Sequence, residues 1–131
     1  MFVDASAMVA VLADESDRDV HWTKIDAAAQ VLLSPISIYE TVVALMRISN
    51  GDFQEASSIV DEFSKRHGVL IIPINAEVGA IALQAFARYG KGRHRAALNM
   101  GDCFAYACAK VHRVPLLCKG DDFKLTDIKL A

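Results

Sequence analysis

The amino-terminal stretch "MFVDASAMVAVLADE" (residues 1–15) combines two patterns that together predict the fold. Residues 1–3 are apolar and form a short strand that ends at Asp4. Residues 5–15 then show the spacing of apolar side chains that is typical of a helix. The same order, a short apolar strand followed by a helix, recurs along the chain. Strands that alternate with helices indicate a parallel sheet with helices on both faces.

Further apolar segments extend this pattern. Strands are expected at residues 31–34, 69–74 and 114–120, with a short fifth at 126–131. The branched composition of residues 69–74, VLIIPI, predicts a buried central strand. Helices are expected over residues 16–29 and 36–50, then from Asp52, from Asn75, and from Gly101 or Asp102. The sequence thus predicts an α/β fold with a small parallel sheet of four to five strands flanked by helices.

The length and composition limit the class of protein. A chain of 131 residues with 53% hydrophobic residues is predicted to fold as one domain over residues 1–131 and to bury a real core. Its three cysteines are an odd number without a C-x-x-C pair, which indicates a reduced, cytoplasmic setting. The sequence predicts neither a signal peptide nor a membrane span. A net charge of −2 does not decide between classes of partner.

Carboxylates recur near the predicted carboxyl ends of the strands, where open α/β sheets bind ligands. Asp4 follows the first strand, Glu40 lies one turn into the helix after the second, and Asp121 and Asp122 follow the fourth. Asp102 opens a helix whose amino terminus we expect to face the same edge.

Each acid also has a local explanation. Asp4 and Asp102 suit helix N-caps, residues 37–40 (Ser-Ile-Tyr-Glu) match a capping box, and Asp121 with Asp122 suits a turn. Taken together, however, converging carboxylates repel one another and are costly to bury. A divalent cation would neutralise them. Oxygen ligands favour Mg²⁺ or Mn²⁺, and the chain has no matching histidine and cysteine set for zinc. Such a cation acts mainly on phosphate esters.

A basic loop precedes Asp102. Lys91, Arg93, His94 and Arg95 fall within five residues, beside two glycines. Such a cluster is typical either of a phosphate-contacting edge or of an ordinary solvated loop. Both interpretations remain open from the residues alone.

Four segments then carry a likeness to a known family. They are "FVDASAMVAVL" (2–12), "SIYET" (37–41), "YGKGRHRAALNMGDCFAYACAK" (89–110) and "PLLCKGDDFKLTDI" (115–128). With this combination the chain resembles the VapC-type toxins, PIN-domain ribonucleases of toxin–antitoxin systems. The resemblance implies a PIN-like three-layer sandwich, usually a homodimer, with Mg²⁺- or Mn²⁺-dependent endoribonuclease activity. It also implies a VapB-like antitoxin, encoded beside the toxin, that holds the activity in check.

The resemblance assigns roles by position. The acids of the family site, both catalytic and metal-binding, correspond to Asp4, Glu40, Asp102 and Asp122. Supporting positions correspond to Ser6, Asn99 and Asp121, and Asp121 stays an alternative for the fourth acid. The basic residues expected to guide the RNA backbone are Lys91, Arg93 and Arg95.

Other functions compete with this interpretation. An aspartate-nucleophile phosphatase needs a second aspartate where the chain has Ser6, and a receiver domain needs an acceptor aspartate where it has Asn75. A non-catalytic RNA- or partner-binding PIN module is the remaining alternative, and retention of all four acids argues against it.

The apolar run at residues 42–46 suits the core, a dimer seam or an antitoxin groove.

Overall fold

The computed structural model describes residues 1–48 and 50–131, and short parallel strands alternate with helices over this part of the chain. The strands are β1 (Phe2–Val3), β2 (Leu32–Leu33), β3 (Leu70–Ile71) and β4 (Leu116–Leu117). The helices are α1 (Ala5–Leu12), α2 (Arg18–Asp26), α3 (Pro35–Ile48), α4 (Phe53–Arg66), α5 (Ala76–Tyr89) and α6 (Met100–His112). A 3₁₀ helix follows at Asp122–Leu125.

The sheet has the strand order β3-β2-β1-β4, and each pair is parallel. Phe2 is in register with Leu32 on one side and with Leu116 on the other. Because successive strand residues point to opposite faces, these three side chains share a cluster with α5 and α6. The next residues along each strand, Val3, Leu33 and Leu117, share a second cluster with α1, α2 and α4. The predicted parallel sheet between two helical layers is therefore confirmed.

The prediction of a central strand at residues 69–74 is wrong. β3 lies at the edge of the sheet, and Leu70 and Ile71 are 54% and 53% exposed. Ile72 is the one fully buried residue of this segment, and Val69 and Ile74 are partly buried against the core. A branched composition reports how well a residue suits a pleated surface, not where its strand lies in the sheet.

The chain end forms no fifth strand in the described residues. Leu130 makes an isolated bridge with Leu116, so the carboxyl-terminal segment runs beside β4 without extending the sheet. Asp127 fastens this segment to α6, because it accepts hydrogen bonds from Tyr106 Oη at 2.6 Å and Lys110 Nζ at 3.1 Å. These bonds, the Tyr106 bond foremost, lower the pKa of Asp127 to about 2. The "TDI" portion of the last motif thus has a structural role.

Local sequence signals set several helix starts. The side chains of Asp4, Asp52 and Asn75 each accept a hydrogen bond from the first turn of α1, α4 and α5, which is the usual N-cap arrangement. The predicted start of the helix after Asn75 is confirmed.

In the described part of the chain, no helix is both long and apolar enough to cross a membrane.

Candidate active site

Asp4 lies where β1 passes into α1. Its backbone N–H still donates to Leu117 in β4, at 2.9 Å, while its carboxylate caps α1. One oxygen, Oδ2, accepts both the backbone N–H of Ser6 at 2.9 Å and the Ser6 hydroxyl at 2.5 Å. The residue is only 4% exposed. Burial raises the pKa of Asp4, and it outweighs the two Ser6 hydrogen bonds that act in the opposite direction.

Asp102 is not the N-cap of α6, so that part of the prediction is wrong. The helix begins one or two residues earlier than expected, at Met100, and Asn99 is its N-cap. Asn99 Oδ1 accepts from Asp102 N at 3.0 Å, and Asp102 Oδ2 accepts from Asn99 N at 2.8 Å. This reciprocal pair is a capping box that uses an asparagine and an aspartate. It holds the Asp102 carboxylate at the amino-terminal end of α6.

Glu40 does not take part in the capping box predicted at residues 37–40. The box at the start of α3 pairs Ser34 with Ser37, and each backbone N–H donates to the other residue's hydroxyl oxygen. The helix begins at Pro35, a favourable first position for proline. Ser37 is therefore the third residue of the helix, and Glu40 lies a turn further along. Its side chain is free to extend toward α6.

Gly101 allows Glu40 to reach α6. A Cβ atom at position 101 would lie 2.1 Å from Oε1 of Glu40, so any larger residue would collide with this carboxylate. The approach places Glu40 near both aspartates. Burial raises the pKa of Glu40, and the charges of Asp4 and Asp102 raise it further.

These three acids line one open pocket of about 400 Å³. Burial, with smaller contributions from the charges of Asp4 and Asp122, raises the pKa of Asp102 to about 6, although the Asn99 hydrogen bond opposes the shift. Asp4 follows β1, and Glu40 and Asp102 reach the same edge from α3 and α6. The structure thus brings three of the four predicted acids to the carboxyl edge of the sheet.

The fourth acid lies beside this pocket, not among its lining residues. Asp122 begins the 3₁₀ helix after β4, and its charge contributes to the raised pKa of Asp102. The neighbouring Asp121 instead pairs with Lys124 at 2.6 Å and is well exposed. Of the adjacent pair, Asp122 is therefore the one whose charge acts on the cluster.

Two further lining residues carry charge and were missed in the sequence. Glu15 and Lys119 line the same pocket, and Lys119 Nζ contacts the Glu15 carboxylate. Lys119 lies directly before Gly120 in the "KGDDF" stretch, so its place near β4 was a usable signal. Glu15 lies in the connection between α1 and α2, where no local pattern marks it.

The donor set suits a hydrated divalent cation. Within the described residues, no three aspartate, glutamate, histidine or cysteine side chains form a group that could hold an ion by themselves. Mg²⁺ keeps several of its waters and needs only one or two carboxylates from a protein. Asp4, Glu40 and Asp102, which line one pocket, supply at least that number. Cys118 is a poor ligand, because burial raises the pKa of its thiol to about 12.

The basic loop connects α5 to α6 and ends at the capping residue Asn99. Backbone bonds close its base, with Lys91 N donating to Leu98 at 2.9 Å and Leu98 N donating to Tyr89 at 3.0 Å. His94 turns inward, where its Nδ1 accepts from Ala96 N at 3.1 Å. The three cations of the prediction are exposed on this loop: Lys91, Arg93 and Arg95.

The apolar run at residues 42–46 divides between the core and the surface. Leu45 is buried, whereas Val42, Val43 and Met46 line an open apolar groove of about 570 Å³. The other large side chains along this groove are partly or well exposed: Ile38, Tyr39, Phe53 and Ile71.

Comparisons with known proteins agree with this arrangement. A family model described as PIN domain matches residues 1–129. The chain is 39% identical over 128 residues to Ribonuclease VapC of Mycolicibacterium smegmatis, covering 98% of this chain and 97% of that protein. It is 40% identical over 129 residues to Ribonuclease VapC30 of Mycobacterium tuberculosis, covering 98% and 95%.

Solved structures share the fold. The crystal structure of Mycobacterium tuberculosis VapC20, described as a Sarcin-Ricin loop cleaving toxin, superposes with a TM-score of 0.79 at 16% identity, covering 99% of this chain and 97% of that one. VapBC2 from Rickettsia felis, bound to a DNA fragment from its promoter, gives 0.74 at 11% identity, with 99% and 96% covered.

Proposed function

The chain belongs to the PIN-domain family and, within it, to the VapC ribonucleases, and we propose that it is a metal-dependent endoribonuclease, the toxin of a type II toxin–antitoxin system. One observation carries the proposal. Asp4, Glu40 and Asp102 come from three separate segments and meet around one pocket with raised pKa values. Such a cluster is costly unless a cation neutralises it.

The four acids would have two different roles. Asp4 and Asp102 would hold a Mg²⁺ or Mn²⁺ ion, because each carboxylate is fixed at a helix start, Asp4 by the backbone N–H and hydroxyl of Ser6 and Asp102 by the backbone N–H of Asn99. Glu40 and Asp122 would hold a second ion or orient the attacking water. A bound cation supplies an acidified water and neutralises charge that develops on the phosphate.

The supporting residues keep the carboxylates in place. Ser6 donates its hydroxyl and its backbone N–H to one oxygen of Asp4, which leaves the other oxygen of that carboxylate available. Asn99 performs the same task for Asp102 through the capping box. Because a small displacement of a catalytic group slows a reaction strongly, both contacts matter for the rate.

The exposed basic loop would guide the RNA backbone. Lys91, Arg93 and Arg95 lie just before the α6 cap, and the loop base is closed by backbone hydrogen bonds. Cations at such a place bind phosphates without reading sequence.

We further propose the following assembly. Residues 1–131 form a single PIN domain that acts in the cytoplasm on RNA, with a VapB-like antitoxin as partner. Structural relatives described as a toxin–antitoxin complex from Klebsiella pneumoniae and as VapBC2 support the antitoxin. The apolar groove between α3 and α4 offers it an uncharged surface.

A homodimer is also part of the proposal. Leu83 and Met100 are 74% and 67% exposed beside an apolar depression between α5 and α6. Apolar side chains of this size at a surface favour association. Light scattering after chromatography should give twice the chain mass, and Leu83→Glu should yield the monomer.

Metal-dependent cleavage tests the function. The purified protein is incubated with RNA after EDTA treatment, with and without added Mg²⁺ or Mn²⁺, beside Asp4→Asn. We expect cleavage by the wild type only with metal and none by the variant at an unchanged circular dichroism spectrum. RNA binding without any cleavage would instead support the alternative, a non-catalytic RNA- or partner-binding PIN module.

A further inference from the structure

Lys119 connects the acid cluster to the segment that carries Asp122. It is the second residue after β4, and its side chain and backbone bind different parts of the chain. Its ammonium group donates to Asp17 Oδ1 at 3.1 Å and contacts the Glu15 carboxylate. Its backbone N–H donates to Ser6 Oγ at 3.0 Å. One residue therefore touches both the α1–α2 connection and the hydroxyl that binds Asp4.

The backbone contact determines the direction of the Ser6 hydroxyl. A serine hydroxyl has a single proton to donate and two lone pairs to accept with. Because Ser6 Oγ accepts from Lys119 N–H, its proton is directed at Asp4 Oδ2. A shift of the backbone at position 119 would remove that constraint. The Ser6 hydroxyl could then turn away from the carboxylate.

The segment after Lys119 depends on the same anchor. Gly120 has φ +88°, so the chain turns sharply there before Asp121 and Asp122. Between β4 and the 3₁₀ helix, Lys119 ties this turn to the α1–α2 connection through its ammonium group and to α1 through its backbone N–H. The ammonium group lies at the surface but is shared by two carboxylates, so it belongs to a network of three charges and not to a single surface pair.

We propose that Lys119 is a positioning residue of the nuclease, whose ammonium group, clamped between Glu15 and Asp17, fixes the backbone of residues 118–122. The clamp keeps Ser6 directed at Asp4 and keeps Asp122 beside Asp102. The inference rests on the proposed ribonuclease function. A direct contact of Lys119 with an RNA phosphate is the competing role, since the residue also lines the acid pocket.

Three variants separate these roles in an RNA-cleavage assay. Lys119→Met removes the charge but keeps the backbone N–H, Lys119→Arg keeps a charge able to bridge two carboxylates, and Glu15→Gln/Asp17→Asn removes the clamp but leaves the lysine. We expect Lys119→Met to lower kcat about 10-fold, as is usual when a supporting contact is lost, with KM within about twofold. The Glu15/Asp17 variant should lower kcat similarly, and Lys119→Arg should restore most of it.

The combined variant provides the decisive comparison. If the three residues act as one clamp, Lys119→Met added to the Glu15/Asp17 change should cost little more than either alone. A phosphate contact would instead raise KM in Lys119→Met and leave kcat intact in the Glu15/Asp17 variant, in which the ammonium is free. That result would overturn the proposal.

Amide hydrogen exchange without metal or RNA gives an independent readout. The amide of residue 119 is expected to be protected in the wild type and to lose protection in Lys119→Met, while Val3 in β1 stays protected. Unchanged protection at residue 119 would refute the clamp. If the wild type cleaves RNA and both clamp variants match it, only this inference fails. If the wild type cleaves nothing with metal, the proposed function fails, and exchange still tests the clamp.

Discussion

Replacing Asp102 by asparagine is expected to abolish RNA cleavage and, without metal, to stabilise the protein. In the folded chain the pKa of Asp102 is raised from 3.8 to about 6, mainly by burial and then by Asp4 and Asp122. Asparagine has nearly the same shape, and its Oδ1 can still accept the N–H of Asn99. The substitution therefore removes the charge and keeps the capping contact of α6.

The size of the stabilisation follows from the pKa difference. A rise of about 2 in the pKa of Asp102 corresponds to about 3 kcal/mol of unfolding free energy. Because Asp102 is half-buried and its charge is partly screened, the expected effect is about 1–2 kcal/mol. The folded state holds the proton more tightly than the unfolded state. The carboxyl group therefore contributes its full stability below pH 4 and loses it as the pH rises through about 6.

Thermal unfolding in EDTA measures this difference. At pH 8 the Asp102→Asn protein should melt about 4–7 °C above the wild type, given the usual unfolding entropy per residue. Near pH 4 about one fifth of that gain should remain. Asp61→Asn, which neutralises an exposed aspartate of α4, is the matched control and should change little at either pH while keeping full activity. An equal gain at both pH values, or no gain at pH 8, would refute the electrostatic argument.

Three further predictions test the geometry. Gly101→Ala would place a Cβ atom against the Glu40 carboxylate and should lower kcat about 10-fold or more. The control Gly79→Ala, with open space around it, should keep wild-type activity. Equal activity of the two variants would contradict the contact. Changing Lys91, Arg93 and Arg95 together to alanine should raise KM and reduce the salt slope of RNA binding by about 2; an unchanged slope measured by fluorescence titration would exclude phosphate contacts. Phe53→Glu places a charge in the apolar groove, at a helix start where an acidic residue is tolerated. Antitoxin affinity should therefore fall at least about 10-fold while RNA cleavage stays unchanged. Undiminished inhibition by the antitoxin would rule out the groove as its binding site.

The order of strands and helices was predictable because it depends on short-range patterns. The apolar pairs Phe2–Val3, Leu32–Leu33 and Leu116–Leu117 each supply one residue to either helical layer, which follows from the two-residue period of a strand. The position of β3 was not predictable in this way. Its place at the edge depends on which strand pairs with which, and Leu70 and Ile71 look like core residues in the sequence.

The acids differ in how far local sequence could identify them. Asp4 and Asp102 sit at helix starts, and a cap can also belong to a functional site. Donors at those starts bind each carboxylate, Ser6 for Asp4 and Asn99 for Asp102. These hydrogen bonds offset part of the cost of burying the charge. The local N-cap interpretation and the functional one were therefore compatible for Asp4, and nearly so for Asp102.

Glu40 follows a different rule. The serine three residues before it matches a capping box, yet that serine is already bound to Ser34. Among the described residues Glu40 receives no hydrogen bond, and its position depends on the missing side chain of Gly101, sixty-one residues away in sequence. A local pattern cannot report such a contact. The place of Glu40 one turn after the second strand made it a candidate, and the resemblance to a family assigned it to the site. Because no donor among the described residues compensates its charge while burial, Asp4 and Asp102 raise its pKa, a nearby cation would favour the ionised form of Glu40.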